Sequence, residues 1–564
     1  MLPKLITTLL FCVYAHTLSA QTIAVNQVGF YPSGPKKAII KDGKPGNFYL
    51  IRLPHNDTVF SGKLQGPFVN KYSPHATYLA DFSRVNTKGT YRLSANGDTS
   101  YAFSIRSSPH NAAAMAAMKG YYLQRASMPL GPTYAGKWQR KAGHPDNHVL
   151  IHPSAASPSR PAGTVISSTG GWYDAGDYNK YIVNSGITMG TLLSLYEDFP
   201  AYCNKINLNI PESRNQLPDL LDECLYNLRW MLTMQDPADG GVYHKLTNAS
   251  FDGMVMPHEA TKPRYVVQKG TAATLDFAAV TAQAARVYSP FNKKLADSCR
   301  TAAIKAWEWA QQHPNVLYKQ DDMNKQYQPP VVTGAYGDNM MNDEVGWAAA
   351  ELYVTTGDEQ YRPFIKLLPA QYWPLPSWSQ VQLLAYYTLS RKGKLKQEVN
   401  PGIIAFADKL LAGSDSTTYQ TVMGKQAGDY VWGSSAVAAN QGIALLQAYR
   451  ITRKPIYLDA AISNLDYLMG RNATGYCFLT GFGAKRVMHP HHRVSVADKI
   501  TGPVPGLLSG GPNPGMQDKC TTYTSKVPDE AFTDDDCSYA SNEIAINWNA
   551  PLVYLLWAVE ALAK

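Results

Sequence analysis

Near residue 108 the chain changes its hydrophobic period. Residues 22–106 read as seven short β-rich runs: Thr22–Val28, Lys37–Lys41, Asn47–Arg52, Asp57–Lys63, Ala76–Ser83, Gly89–Ser94 and Ser100–Ile105. Asn, Gly, Pro and Asp separate them, which predicts a β-sandwich of immunoglobulin-like architecture. No Cys…Trp…Cys pattern is present, so the likeness is one of architecture only. After Ser107-Ser108-Pro109 the period becomes helical, near 109–124, 180–199, 218–235, 271–288, 293–312, 342–355, 359–368, 378–391, 400–414, 434–451, 455–469 and 541–562. Side chains at a strand period cannot line one face of a helix, so the switch marks two separate folding units. The expected division is a leader at 1–20, a β-sandwich at 21–107 and a helical domain at 108–564. Some twelve helices, with long loops between alternate pairs, suit six hairpins closed into an (α/α)6 barrel.

The chain's N-terminus reads as a signal peptide: Lys4, an apolar run from Leu5 to Val13, then Leu18-Ser19-Ala20 as a small-residue cleavage site. That run is too short to span a membrane, and no other stretch of such length and apolarity follows. A secreted or periplasmic protein without a membrane span is expected. The net charge of +9 is scattered and forms no basic run, which argues against nucleic acid as a partner. Cys520 and Cys537 bracket a polar loop and are the expected pair in an oxidising compartment. The aromatic residues are weighted toward 36 Tyr and 11 Trp against 16 Phe. Tyr and Trp combine an apolar face with a hydrogen bond, as a groove that stacks sugar rings requires.

Three constellations carry chemistry. In Gly170-Gly171-Trp172-Tyr173-Asp174-Ala175-Gly176-Asp177 two carboxylates share a glycine-rich, aromatic turn before a helix. Close carboxylates shift each other's protonation and can share a water; the plainer alternatives are a helix-capping turn or a cation site. In the second, Asp534, Asp535 and Asp536 precede Glu543, which leads into the apolar final helix. A carboxylate beside apolar residues suits a general acid, although the same residue could simply suit the helix dipole. The third, His489-Pro490-His491-His492-Arg493, is too tightly spaced for three histidines to reach one ion, and reads as a donor strip for hydroxyls. Two separated acidic centres, a donor strip and abundant aromatics are what glycoside hydrolysis demands.

These residues resemble glycoside hydrolase family 9, in the subgroup with an N-terminal Ig-like domain. Asp174-Ala175-Gly176-Asp177 is similar to its base motif, Thr480 to Arg493 to its histidine signature, and Phe532 to Ala550 to its acidic signature. Supporting matches are 218–223, 240–245 and 432–435. The resemblance implies Asp177 as base, Asp174 holding the nucleophilic water and Glu543 as acid, with His491 and Asp534 in the same set. It implies sugar contacts at Arg493, His244, Trp432, Tyr539, Trp548 and Trp378. An inverting endo-β-1,4-glucanase, working as a monomer on a β-glucan polymer or oligosaccharide, is the expectation. Exo-action, xyloglucan cleavage and non-catalytic carbohydrate binding are the alternatives. No cofactor is needed for such chemistry. The resemblance implies a structural calcium at Asp343 and Glu344. Zinc is not expected, because residues 127–173 offer His144, His148 and His152 but no Cys.

Overall fold

The computed structural model describes residues 22–563; the expected leader lies outside them. The N-terminal unit contains β1 (Ile23–Val25), β2 (Lys37–Lys41), β3 (Asn47–Leu53), β4 (Asp57–Lys63), β5 (Gln65–Phe68), β6 (Thr77–Asp81), β7 (Gly89–Ala95), β8 (Asp98–Thr99) and β9 (Phe103–Ile105). They form two sheets, β1-β2-β6-β5 and β4-β3-β7-β8, with β9 also paired to β7. Alternate residues such as Phe48, Leu50, Tyr91 and Leu93 face inward. Phe30 meets Phe82 and Phe103 edge-on, at 5.3 and 5.2 Å between ring centroids. Of the two strands not expected from sequence, β5 is Gln-Gly-Pro-Phe on a sheet edge with no buried residue, and β8 has only two residues. Neither carries an apolar alternation to read.

The remainder is helical. Its principal helices are α1 (Asn111–Leu123), α2 (Ile182–Asp198), α3 (Asp219–Thr233), α4 (Thr271–Tyr288), α5 (Lys293–Gln312), α6 (Asn342–Thr356), α7 (Gln382–Lys392), α8 (Lys396–Leu411), α9 (Ser434–Thr452), α10 (Pro455–Leu468) and α11 (Ile546–Leu562). A 3₁₀ segment, Glu359–Phe364, stands where one further helix was expected; Pro363 lies inside it. Helices α2, α4, α9 and α11 are buried on nearly every side, whereas α3 and α5 bury one face. A helix apolar all round must be an inner helix, and an amphipathic one an outer helix. The inner helix α11 packs on α2, which packs on α4, and α4 on α6, so the last helix closes against the first inner one. The architecture is a β-sandwich followed by an (α/α)6 barrel. Among the described residues no helix is long and apolar enough to cross a membrane.

The two units are joined through buried polar contacts. Asn26 donates to the Asp466 carboxylate (2.7 Å), Tyr31 to Glu560 (2.8 Å) and Thr77 to the Thr418 carbonyl (2.7 Å). Asp466 is itself paired with Arg471 at 3.0 Å, both fully buried. At one end of the barrel the long loops are ordered around a small sheet, β11-β10-β14-β13-β12, formed by β10 (Val149–Ile151), β11 (Val165–Ile166), β12 (Lys180–Tyr181), β13 (Lys245–Asn248) and β14 (Arg264–Val266). The strands β12 and β13 sit immediately behind the Asp174–Asp177 turn.

Candidate active site

The Asp174–Asp177 turn is held from below. Arg125, wholly buried, bonds Glu223 at 2.8 Å and Glu212 at 2.9 Å. Glu223 in turn accepts the Trp172 indole N–H at 2.8 Å. The 218–223 segment thus anchors the turn. Gly176 is dictated by a close approach: a Cβ there would lie 2.1 Å from the His491 carbonyl oxygen. The histidine strip and the aspartate turn can meet only because this position has no side chain.

Asp177 is 5 % exposed. Its Oδ2 accepts from Asn179 Nδ2 at 2.5 Å and from the Tyr181 hydroxyl at 3.3 Å. Its Oδ1 accepts no hydrogen bond from the protein. Asp174 takes the Asn184 amide on both oxygens (2.9 Å each) and the Tyr336 hydroxyl at 3.2 Å. Burial, and then the charge of Asp177, hold the Asp174 carboxyl well above the usual carboxylate range.

Glu543 does not belong to the last helix. Tyr539–Asn542 is a single turn, Glu543 is extended (φ −70°, ψ 159°), and α11 begins only at Ile546. The reason is local pairing: Glu543 bridges His491, its carbonyl accepts from Gly510 N–H at 2.8 Å, and Ile546 N–H bonds the Asp174 carbonyl at 2.8 Å. These bonds bring Glu543 to the aspartate turn, where Oε1 accepts from Gly176 N–H at 3.3 Å. Burial, with the charges of Asp177 and Asp174, holds Glu543 well above the usual range, partly offset by Arg493 and the Gly176 N–H. Glu543 thus holds its proton to higher pH than an ordinary carboxyl, as a general acid needs.

The donor strip serves mixed purposes. The His491 ring bonds the Asp536 carbonyl at 2.6 Å, and burial lowers its affinity for a proton. Arg493 donates to the Gly176 carbonyl (2.9 Å) and the Asp252 carbonyl (3.0 Å), so its bonds hold the aspartate turn and a neighbouring loop. Asp534 accepts the backbone N–H groups of Met488 and His489, both at 2.9 Å, which ties the two signatures together. That is a positioning role rather than proton transfer. His244 is 1 % exposed, stacked on Tyr318 at 3.9 Å and bonded to the Ala335 carbonyl at 2.8 Å, which makes it part of the wall and withholds it from a sugar.

The aromatic expectations fall into two groups. Trp432, 42 % exposed, lies 5.5 Å from Tyr539, which lies 5.8 Å from His491. Trp548 packs behind them against Gly433 and Gly510. On the other side Trp378 meets Tyr336 edge-on at 5.4 Å, and Tyr336 meets Tyr181 at 4.8 Å. Sequence reasoning missed Tyr336 as a site residue. It sits in Gly334-Ala335-Tyr336-Gly337, and its positive φ of 48° marks a turn that only the fold aims at Asp174.

Asp343 and Glu344 open α6, facing Asp276 of α4. Neither oxygen of Asp276 has a hydrogen-bond partner; burial, with the charges of Asp343 and Asp338, holds its carboxyl well above the ordinary range, and burial, with the charges of Asp276, Asp343 and Asp338, does the same to Glu344. Uncompensated buried carboxylates of this kind suit a hard cation. Of the three histidines considered for zinc, His144 bonds the Tyr173 hydroxyl through Nδ1, both ring nitrogens of His152 bond Ser154 and the Pro329 carbonyl, and His148 is exposed. Among the described residues, the three metal-capable side chains that converge within 4.8 Å are Cys520, Asp535 and Cys537. The two cysteines are joined in a disulfide, as their bracketing of the loop predicted.

A helical barrel in which three carboxyls converge beside exposed and half-buried aromatic rings has the make-up of a carbohydrate-cleaving hydrolase. The chain belongs to glycosyl hydrolase family 9, whose model matches residues 110–556, and the cellulase N-terminal Ig-like domain matches residues 19–100. It is 47% identical over 554 residues to the xyloglucan-specific endo-beta-1,4-glucanase BoGH9A of Bacteroides ovatus, covering 96% of this chain and 94% of that protein. Endoglucanase D of Acetivibrio thermocellus is 34% identical, over 95% of this chain and 82% of that one. The solved structure of a Bacteroides ovatus family 9 hydrolase aligns with a TM-score of 0.90 and 44% identity, covering 96% of this chain and 99% of that one.

Proposed function

We propose that this protein is a secreted endo-acting hydrolase of β-1,4-glucans, xyloglucan among them, that works with inversion. Asp177 is the base and Glu543 the acid. The observation that carries this reading is the state of Asp177: Oδ2 is fixed by two donors, while Oδ1 is buried with no protein donor and so is available to a water. Asp177 takes a proton from that water as its oxygen attacks the anomeric carbon. Glu543, kept protonated by burial and by its acidic neighbours, gives its proton to the departing sugar oxygen. Inverting enzymes hold their carboxyls roughly 6.5–9.5 Å apart, leaving room for the water. His491 bonds a ring hydroxyl, Asp174 orients the water, and Trp432, Tyr539 and Trp378 supply apolar faces for successive sugars.

The choice of xyloglucan rests on the extended likeness to BoGH9A, whose name specifies that substrate. The leader at 1–20 suits a polymer-degrading enzyme, since the polymer stays outside the membrane. A cation at Asp343 and Glu344, joined by Asp276, is structural in this reading; the sandwich spans 21–107 and the barrel 108–564. The test is product analysis on xyloglucan, carboxymethylcellulose and short oligosaccharides, with anomers read by NMR immediately after cleavage. A viscosity drop faster than sugar release, with α-anomer first, is expected. Glucose alone from the outset would mean exo-action, and early β-anomer would remove Asp177 from the role of base.

A further inference from the structure

Behind the aspartate turn lies a lysine that the mechanism above does not use. Lys245 on β13 is fully buried, and its ammonium donates to Gln320 Oε1 (2.7 Å), Thr333 Oγ1 (3.0 Å) and the Gly334 carbonyl (2.6 Å). Gln320 Nε2 is bonded to the Thr333 carbonyl at 2.7 Å, which fixes Oε1 as an acceptor. Three acceptors for three protons are the surroundings of a charged ammonium rather than a neutral amine. No carboxylate among the described residues pairs with it directly. A buried charge without a partner is costly, so something must compensate it.

The hydrogen bonds lead to that compensation. Thr333 Oγ1 meets Thr247 Oγ1 at 2.6 Å, and the Thr247 hydroxyl has two acceptors within reach, Asn179 Oδ1 at 3.0 Å and the Asn248 carbonyl at 2.8 Å. Asn179 Oδ1 also accepts the Asn248 N–H at 2.9 Å, which orients its amide so that Nδ2 points at Asp177 Oδ2. The ammonium also lies 5.5 Å above the Tyr181 ring, whose hydroxyl is the second donor to the same oxygen. Every link is buried: Thr333 is 2 % exposed, Thr247 0 % and Asn179 2 %. We propose that Lys245, through Thr333, Thr247 and Asn179, is the positioning residue and counter-charge of Asp177, fixing Oδ2 so that Oδ1 faces the water. Burial pulls Lys245 well below the ordinary lysine range, and the charge of Asp177 is what opposes that pull. The other groups facing Asp177 are Asp174, Glu543, Tyr181, Tyr336 and His491; the last is held neutral by burial. Arg493 faces Glu543, and His244 lies beside Lys245.

The proposal rests on Asp177 being the base, and the test separates the two. The full-length enzyme and its Lys245→Met, Lys245→Arg, Thr333→Val and Asp177→Ala variants are assayed on carboxymethylcellulose across pH, with folding followed by circular dichroism. Removing a positive neighbour disfavours the carboxylate, so the acid limb of kcat/KM in Lys245→Met moves to higher pH by about 1 unit. Lys245→Arg keeps the wild-type limb. Thr333→Val breaks the path from Lys245 to Asn179 and lowers kcat roughly 10-fold with KM unchanged, because the aim of the carboxylate is lost. A folded Lys245→Met enzyme with an unmoved acid limb overturns the proposal. Should that variant not fold, wild-type kcat in Thr333→Val overturns it equally. Undiminished activity in Asp177→Ala instead overturns the base assignment itself.

Discussion

Replacing Glu543 by Gln removes one proton and almost nothing else. The side chain keeps its volume, and an amide oxygen can still accept the Gly176 N–H that now lies 3.3 Å from Oε1. What is lost is the proton that burial and the charges of Asp177 and Asp174 keep on the carboxyl. General acid catalysis contributes typically 10²–10⁴-fold. On a β-1,4-glucan, whose leaving group is a sugar hydroxyl, kcat/KM should fall by about that factor, or about 3–5 kcal/mol at 1.36 kcal/mol per tenfold. On an aryl β-cellobioside with a nitrophenolate leaving group, which needs no proton, the loss should stay within roughly threefold. The pH profile gives a second reading. A proton held above the usual carboxylate range is present at low pH and lost as pH rises through that raised value. The wild-type enzyme should therefore show a basic limb, and Glu543→Gln should lack it. The assay is initial-rate kinetics on both substrates from pH 4 to 10. Equal losses on the two substrates, or a basic limb that survives the substitution, would refute the assignment of Glu543.

Two further outcomes are expected. Chelation with EDTA should lower the melting temperature by exposing the uncompensated Asp276 and Glu344 carboxylates, while leaving kcat on the still-folded enzyme unchanged; added calcium should restore the melting temperature. Loss of activity with circular dichroism intact would instead place a metal in the chemistry. Arg125→Met leaves Glu223 charged and buried at 0 % exposure beneath the aspartate turn, and should cost about 3–5 kcal/mol in urea unfolding, part of which Arg125→Met/Glu223→Gln recovers. A cost below about 1 kcal/mol would show that the ion pair does not support the turn.

The change of period near residue 108, the helix positions and the three signatures are local properties of the chain. Residues a few positions apart determine whether a segment can bury one face or all faces, and that needs no knowledge of neighbours. The buried run of α2 and the amphipathic pattern of α5 are thus both readable from sequence. So are Asp174 and Asp177, because their glycine-rich turn is contiguous. Glu543 was legible as a residue but not in its conformation: its extension depends on pairing with His491, 52 positions away, and on the Gly510 N–H. His244 lies in a recognisable motif, yet only packing against Tyr318 shows that its ring is shut away from the cleft. Tyr336 and the path from Lys245 to Asp177 join residues from separate loops and strands, each unremarkable alone. Sequence determined which groups could carry a proton. Tertiary structure decided which of them keep it, since burial and the charges of distant neighbours govern protonation, and neither exists until the loops are assembled.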